Sequence, residues 1–225
     1  MKEQIKQVKA STLVLDYDLY PRDEINSYNV SQICRALEAG TTMPPMIADK
    51  ESRRVVDGFH RLRAYQRVFG LDCKVPVIFR QYPDEKALFM EAINLNASHG
   101  RQLSRYDRAR CVVKGEGLGI AEAEIAGVLN MTLPRLGELK VERFGSFENK
   151  PVVLKRMTAH LQGEELTNEQ QAFNLKAGGM NQTFYLNQIV SMLEADAVDW
   201  DNEKVVNALK RLHKALEEKL GVKVS

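Results

Sequence analysis

Cysteine is scarce. The 225 residues hold three, Cys34, Cys73 and Cys111, nearly forty positions apart from one another. That number and spacing exclude an even-numbered disulfide framework and a close-spaced zinc motif, and fit a reducing cytoplasm. Long apolar runs are missing as well. None approaches the ~18 residues needed to span a bilayer, and the opening decapeptide lacks the apolar stretch of a signal peptide. A soluble, cytoplasmic chain with no membrane partner is therefore expected. An excess of one charge sign is also absent, because 32 Lys and Arg against 30 Asp and Glu leave a net +2. This excludes a strongly basic, histone-like protein but not nucleic-acid binding, which depends on where charge sits. The four histidines are scattered and pair with no cysteine or carboxylate cluster, so no metal site is expected.

What is present is globular in character: 44% hydrophobic and 28% charged residues, enough for one large domain or two to three small ones. Up to residue 98 the pattern is mixed α/β. Leu13-Val14-Leu15, Met46-Ile47-Ala48, Arg54-Val55-Val56 and Val75-Pro76-Val77-Ile78-Phe79 are apolar runs of strand length. Between them, residues 30–39, 60–69 and 84–95 carry helical spacing, the first two stopped by Gly40 and Gly70. From Ser104 to Phe144 short helices are predicted. Ser104 and Asp107 form a capping pair, residues 119–129 form an amphipathic helix, Asn130-Met131 is a turn, and Thr132 caps a second helix with Pro134 in its first turn. Helices joined so closely suggest a helix-turn-helix. Gly115, Gly117 and Gly119 read as a linker. The remainder, from about Asn149, reads as helical, with a break at Ala177-Gly178-Gly179 and an apolar stripe of Val205, Leu209, Leu212, Leu216 and Leu220 suited to core or dimer packing. The expected division is thus 1–98, 99–146 and 147–225.

The densest chemical constellation is Val55-Val56-Asp57-Gly58-Phe59-His60-Arg61-Leu62-Arg63. A strand, a glycine turn and a helix start carrying His60, Arg61 and Arg63 suit a polyphosphate, since Gly58 admits close backbone approach and the helix end offers N–H groups and a positive dipole. A solvated helix face explains the arginines equally well. Farther on, Arg101, Arg105, Arg108, Arg110 and Lys114 face one carboxylate, Asp107. Such a strip suits a phosphate backbone or, again, a solvated face.

Gly58-Phe59-His60-Arg61-Leu62-Arg63-Ala64 resembles the Gly-Glu-Arg-Arg-x-Arg-Ala box of ParB proteins and the Gly-Cys-His-Arg box of sulfiredoxin, two branches of one superfamily. Gly40-Thr41-Thr42-Met43-Pro44-Pro45-Met46-Ile47 is similar to the ParB segment that contacts nucleotide phosphates. Residues 94–108 fall where ParB has its Glu-Asn-x-x-Arg box, and their Asn-x-x-His-Gly-x-x-Leu-Ser form looks closer to ParB-like transcriptional activators. The resemblance covers about residues 10–145. It implies a ParB/sulfiredoxin-like α/β domain followed by a helix-turn-helix; homodimerisation is expected from the C-terminal apolar stripe, not from the resemblance. It implies a nucleoside triphosphate, CTP or ATP with its magnesium, held by Thr41, Thr42, Gly58, His60, Arg61, Arg63, Asn96 and His99. It implies DNA binding by the helix-turn-helix, for which the candidate contacts read from the second helix and the basic strip are Arg105, Arg108, Thr132, Arg135 and Lys140, the alternative being a small helical subdomain kept for packing or protein contact. Phe59 stands where sulfiredoxin has its reactive cysteine, so sulfinic acid reduction is not expected.

Three functions follow from these readings. The first is a DNA-binding regulator or a partition or mobile-element factor switched by nucleotide. The second is a nucleotide-dependent kinase or nuclease, with Asp57, Glu24 or His60 as the candidate base. The third is an interaction scaffold whose boxes are inactive.

Overall fold

The computed structural model describes residues 4–98, 102–178 and 180–221. They form two compact units, Met1–Ala177 and Gly178–Ser225. The break falls at the Ala177-Gly178 junction the sequence marks, whereas the expected boundaries after residues 98 and 146 lie inside the first unit.

In the first unit a four-stranded sheet runs in the order β1-β4-β2-β3, from β1 (Ile5–Lys9), β2 (Met46–Asp49), β3 (Val55–Asp57) and β4 (Lys74–Arg80). The β1–β4 and β2–β3 pairs are antiparallel, and β2–β4 is parallel. Side chains alternate across a strand, and here both faces are covered. Met46, Ala48 and Val55 pack with α1 (Ser27–Glu38) and α2 (Phe59–Phe69) on one face. Ile47 and Val56 pack with α3 (Glu85–Ser98) on the other. This is why β2 is buried along its whole length. The predicted strand at residues 13–15 is reduced to a single parallel bridge from Val14 to Arg54. The strand β1, which the sequence reading omitted, takes the sheet edge instead.

The cluster around α3 continues into α4 (Arg105–Gly117), α5 (Glu122–Val128) and α6 (Leu133–Arg143). Ser104 and Asp107 cap α4 reciprocally, as expected, and Asp107 also accepts the Asp23 N–H at 2.8 Å. The glycine linker is a correction. Gly115 and Gly117 lie inside α4, and a Cβ on Gly115 would stand 2.7 Å from Ile125 Cδ1, so the glycine permits close contact between α4 and α5. Gly119, at φ +70°, then ends the turn, and α5 begins at Glu122, three residues later than the sequence suggested.

A second correction follows α6. A hairpin of β5 (Phe144–Phe147) and β6 (Lys150–Val153) stands where the sequence reading placed helix and loop. Its two-residue turn holds Glu148 and Asn149 at φ +52° and +59°, the doubly left-handed turn whose twist matches paired strands. Then α7 (Asn168–Lys176) completes the unit, with buried Asn174 donating to the Val153 carbonyl and accepting from Lys155 N–H and the Thr158 hydroxyl.

The second unit is a helical hairpin of α8 (Gln182–Glu194) and α9 (Glu203–Leu220). Asn181 caps α8, and Phe184 and Tyr185 meet edge to face within its first turn. No residue of either helix is buried, and Leu186, Val190, Leu193, Leu216 and Leu220 are exposed. Among the described residues, no helix is long and apolar enough to cross a membrane.

Candidate nucleotide site and nucleic-acid interface

The turn from β3 into α2 is built around Gly58. Its φ of +112° is a conformation that side-chain-bearing residues rarely adopt, and a Cβ there would approach Met46 Cγ to 2.5 Å. No side chain caps α2, so the amides of its first turn lack intrahelical acceptors and lie at the positive end of the helix dipole.

Around this turn the structure separates residues that the sequence grouped. Arg61 points into the protein. Its guanidinium donates to the Pro44 and Pro45 carbonyls at 3.0 and 3.1 Å and pairs with Asp57 at 2.5 Å. Arg61 thereby ties the Thr41-to-Pro45 segment to the turn. Arg63 is exposed and donates to the Tyr17 hydroxyl at 2.9 Å. His60 Nε2 accepts the Asn26 N–H at 3.2 Å, which places the ring proton of the neutral imidazole on Nδ1. Thr41 is fixed by its N–H to the Ala36 carbonyl, and Thr42 lines a cleft with Pro44, Tyr65 and Pro76. Asn96 donates to the Ala92 carbonyl of its own helix. Glu24 is exposed ahead of α1. His99 and Arg101 lie outside the described residues.

Aromatic side chains that the sequence reading passed over form the back of the site. Tyr20 stacks on Phe59 at 4.2 Å, and Tyr17 meets Phe59 edge on at 6.1 Å. Burial pushes the Tyr20 hydroxyl well above its usual range. The spacing of Tyr17 and Tyr20 just before Pro21 is the signal that marks this loop in the sequence. Arg54 was also missed. Its guanidinium bridges Asp16 at 3.1 Å and Glu85 at 2.6 Å, joining the loop to β3 and α3.

Asp16 gives a pH-dependent prediction. Burial alone would raise its pKa, but Arg54 and the N–H groups of Asp18 and Leu19 outweigh burial and hold the carboxyl below the usual range. A carboxylate depressed in the folded state contributes stability above its unfolded pKa and loses it as pH falls through the folded one. Asp16→Asn should therefore cost about 1–3 kcal/mol at pH 7. In urea unfolding the gap between variant and parent should close progressively as pH falls below about 4.

Two cations of the basic strip on α4, Arg105 and Lys114, are engaged by internal partners. Arg105 pairs with Glu142 of α6 at 2.8 Å, Arg108 is half-buried, and Lys114 donates to the Asp18 carbonyl and lies 5.0 Å over the Phe89 ring. On α6, Thr132 accepts the Arg135 N–H as N-cap, and Arg135 bonds Glu138 one turn on. Lys140 sits between Glu116 and Glu122; burial opposes its charge, but the two carboxylates hold its pKa above the usual value. Exposed Thr132, Pro134 and Arg135 form the outward N-terminal edge of α6. The three cysteines are free, and burial pushes the Cys111 thiol up to about 12, which keeps it protonated and unreactive.

No family model and no curated protein matches the chain. Among solved structures, it is similar to a pNOB8-like ParB N-domain at 17% identity, with 68% of this chain and 57% of that one covered and a TM-score of 0.42. It is also similar to Caulobacter crescentus ParB complexed to the centromeric parS site (16% identity, 76% and 78% covered, TM-score 0.45). The same protein complexed with CTP-γ-S aligns at 15% identity, 78% and 94% covered, with a TM-score of 0.38. The alignment thus spans little more than half the length of the first of these structures, and all three TM-scores lie below 0.5.

Proposed function

We propose that the chain is a ParB-like DNA-binding protein, a transcriptional regulator or partition factor, whose α/β part takes a nucleoside triphosphate, CTP or ATP with magnesium, as a conformational ligand. The observation that carries this reading is the uncapped start of α2 behind Gly58, flanked by an exposed arginine. In this arrangement the first-turn amides and Arg63 would hold phosphate oxygens, and Arg61 would act as a positioning residue that fixes the Thr41-to-Pro45 segment beside them. The bound nucleotide would supply the metal through its own phosphates.

A physical route links that turn to the helices. Phe59 stacks on Tyr20, and the Tyr20 loop is bonded to α4 through Asp23 N–H on Asp107 and Lys114 on the Asp18 carbonyl. On α4, Arg105 in turn pairs with α6. We read α5 and α6 as the helix-turn-helix, with Thr132 and Arg135 presented to DNA. Most of its cations are internally paired, so one copy would bind weakly. The apolar hairpin of the second unit would supply a second copy by homodimerisation.

The test is DNA binding by fluorescence anisotropy across a salt series, for the intact chain and a chain ending at residue 177. The intact chain should bind with an affinity that falls steeply with salt. Arg135→Ala should weaken binding about tenfold, and the shortened chain should bind more weakly still. Absence of binding at low salt, with and without CTP or ATP, would refute the DNA half.

A further inference from the structure

Three arginines from separate elements meet where α6 runs into the β5–β6 hairpin. Arg105 is the first residue of α4, Arg143 the last of α6, and Arg156 follows β6. Two contacts bring them together. Arg105 pairs with Glu142, the neighbour of Arg143, at 2.8 Å, and the Arg143 carbonyl accepts the Leu154 N–H at 2.7 Å, two residues before Arg156. Burial, then Arg105 and, less strongly, Arg156 disfavour the charged form of Arg143, and Glu142 only partly offsets them. Like charges held this close cost stability until an anion joins them. Glu142 is already engaged by Arg105, whereas Arg143 and Arg156 have no ion pair among the described residues. Lys155 beside them is taken by Asp23 and the Leu175 carbonyl. The cluster is open to solvent, with Arg156 exposed, the Arg105 side chain 52% exposed and Arg143 half-buried.

We propose that Arg143 and Arg156 hold the phosphodiester backbone of double-stranded DNA, at the end of α6 opposite Thr132 and outside the basic strip of α4. The inference rests on the DNA-binding reading above and adds to it the residues that meet the backbone. Position favours a duplex over a free anion. Arg135, Glu138 and Glu142 stand at i, i+3 and i+7, which is one row of α6, and Arg105 closes that row at its C-terminal end. The arginine cluster therefore adjoins the row that carries Arg135, about 10 Å farther along the axis at about 1.5 Å per residue. A major groove is about 12 Å wide, so Arg135 at the base edges would bring the cluster to the phosphates of the groove rim. Along this side of α6, Arg135 is paired with Glu138 and Arg105 with Glu142. Arg143 and Arg156 are the cations left to exchange water for phosphate, and a guanidinium fork matches two phosphate oxygens.

The test is fluorescence anisotropy of the intact chain on a mixed-sequence duplex across a salt series. Arg143→Met and Arg156→Ala should each reduce the steepness of log affinity against log salt by about one. Arg67→Ala, which removes an exposed cation of α2, should leave it unchanged. Glu142→Gln should tighten binding and raise the steepness by about one, because it frees Arg105. Arg143→Met should not lower the unfolding midpoint, since it relieves repulsion around a half-buried charge; if it does, Arg156→Ala carries the test. A parent chain that fails to bind at low salt overturns the DNA reading and this proposal together. Binding by the parent with the same steepness in Arg143→Met and Arg156→Ala overturns this proposal alone. The same holds if both variants lose binding to a polyglutamate peptide but keep parental binding to DNA, which gives the cluster to an acidic protein partner.

Discussion

A fragment ending at residue 98 is expected to unfold without a cooperative transition, whereas one ending at residue 177 should unfold cooperatively. The reason is the placement of α3. One face of it lies on the sheet, while Leu88, Phe89, Ala92 and Ile93 belong to a cluster that also contains Val112 of α4, Ile125 of α5, Leu136 of α6 and Val153 of β6. Burying each large apolar side chain contributes about 1.5–3 kcal/mol, and a domain retains only about 5–15 kcal/mol in total. Removing α4, α5 and α6 uncovers several such side chains at once and leaves the outer face of α3 in water. Urea unfolding followed by far-UV circular dichroism distinguishes the outcomes. A sharp two-state transition for the 1–98 fragment would show that the α/β part holds its own core.

Arg61→Ala is expected to cost about 3 kcal/mol of stability. The guanidinium is mostly buried and makes bonds to two proline carbonyls and the Asp57 carboxylate, so its loss strands a charge and two acceptors together. Breaking such a pair from one side costs more than removing both partners, because the survivor keeps its desolvation penalty. Asp57→Asn in the Arg61→Ala background should therefore recover part of the loss. Arg63→Ala should change stability by no more than about 0.5 kcal/mol, as for an exposed position. Equal losses for the two arginines in chemical denaturation would contradict the division of labour between them.

The elements buried on a sheet face were legible in the sequence, because period and stop signals act locally. The strands β2, β3 and β4 and the helices α1, α2 and α3 fall where their apolar spacing and Gly40 and Gly70 place them. The edge strand β1 was not, since Ile5–Lys9 is mostly exposed and alternates apolar with polar side chains too briefly to stand out. The β5–β6 hairpin depends on Glu148 and Asn149 adopting positive φ, and glutamate gives no such signal. At the candidate site the sequence placed Gly58, His60, Arg61 and Arg63 together. It could not reveal that Arg61 turns inward, because the Pro44 and Pro45 carbonyls are brought to it by tertiary packing. The partners of Arg105 and Lys114 in the basic strip were hidden for the same reason: Glu142 and the Asp18 carbonyl come from other elements.

The central claim is that the turn behind Gly58 binds nucleotide phosphates through Arg63. Calorimetric titration of the intact chain with CTP, ATP and GTP, alongside Arg63→Ala of matched unfolding midpoint, tests it most directly. The account predicts saturable binding of CTP or ATP with magnesium, weakened at least about tenfold in Arg63→Ala through loss of a charge-assisted contact. No heat from any of the three with folded protein, or equal affinity in the variant, would contradict it.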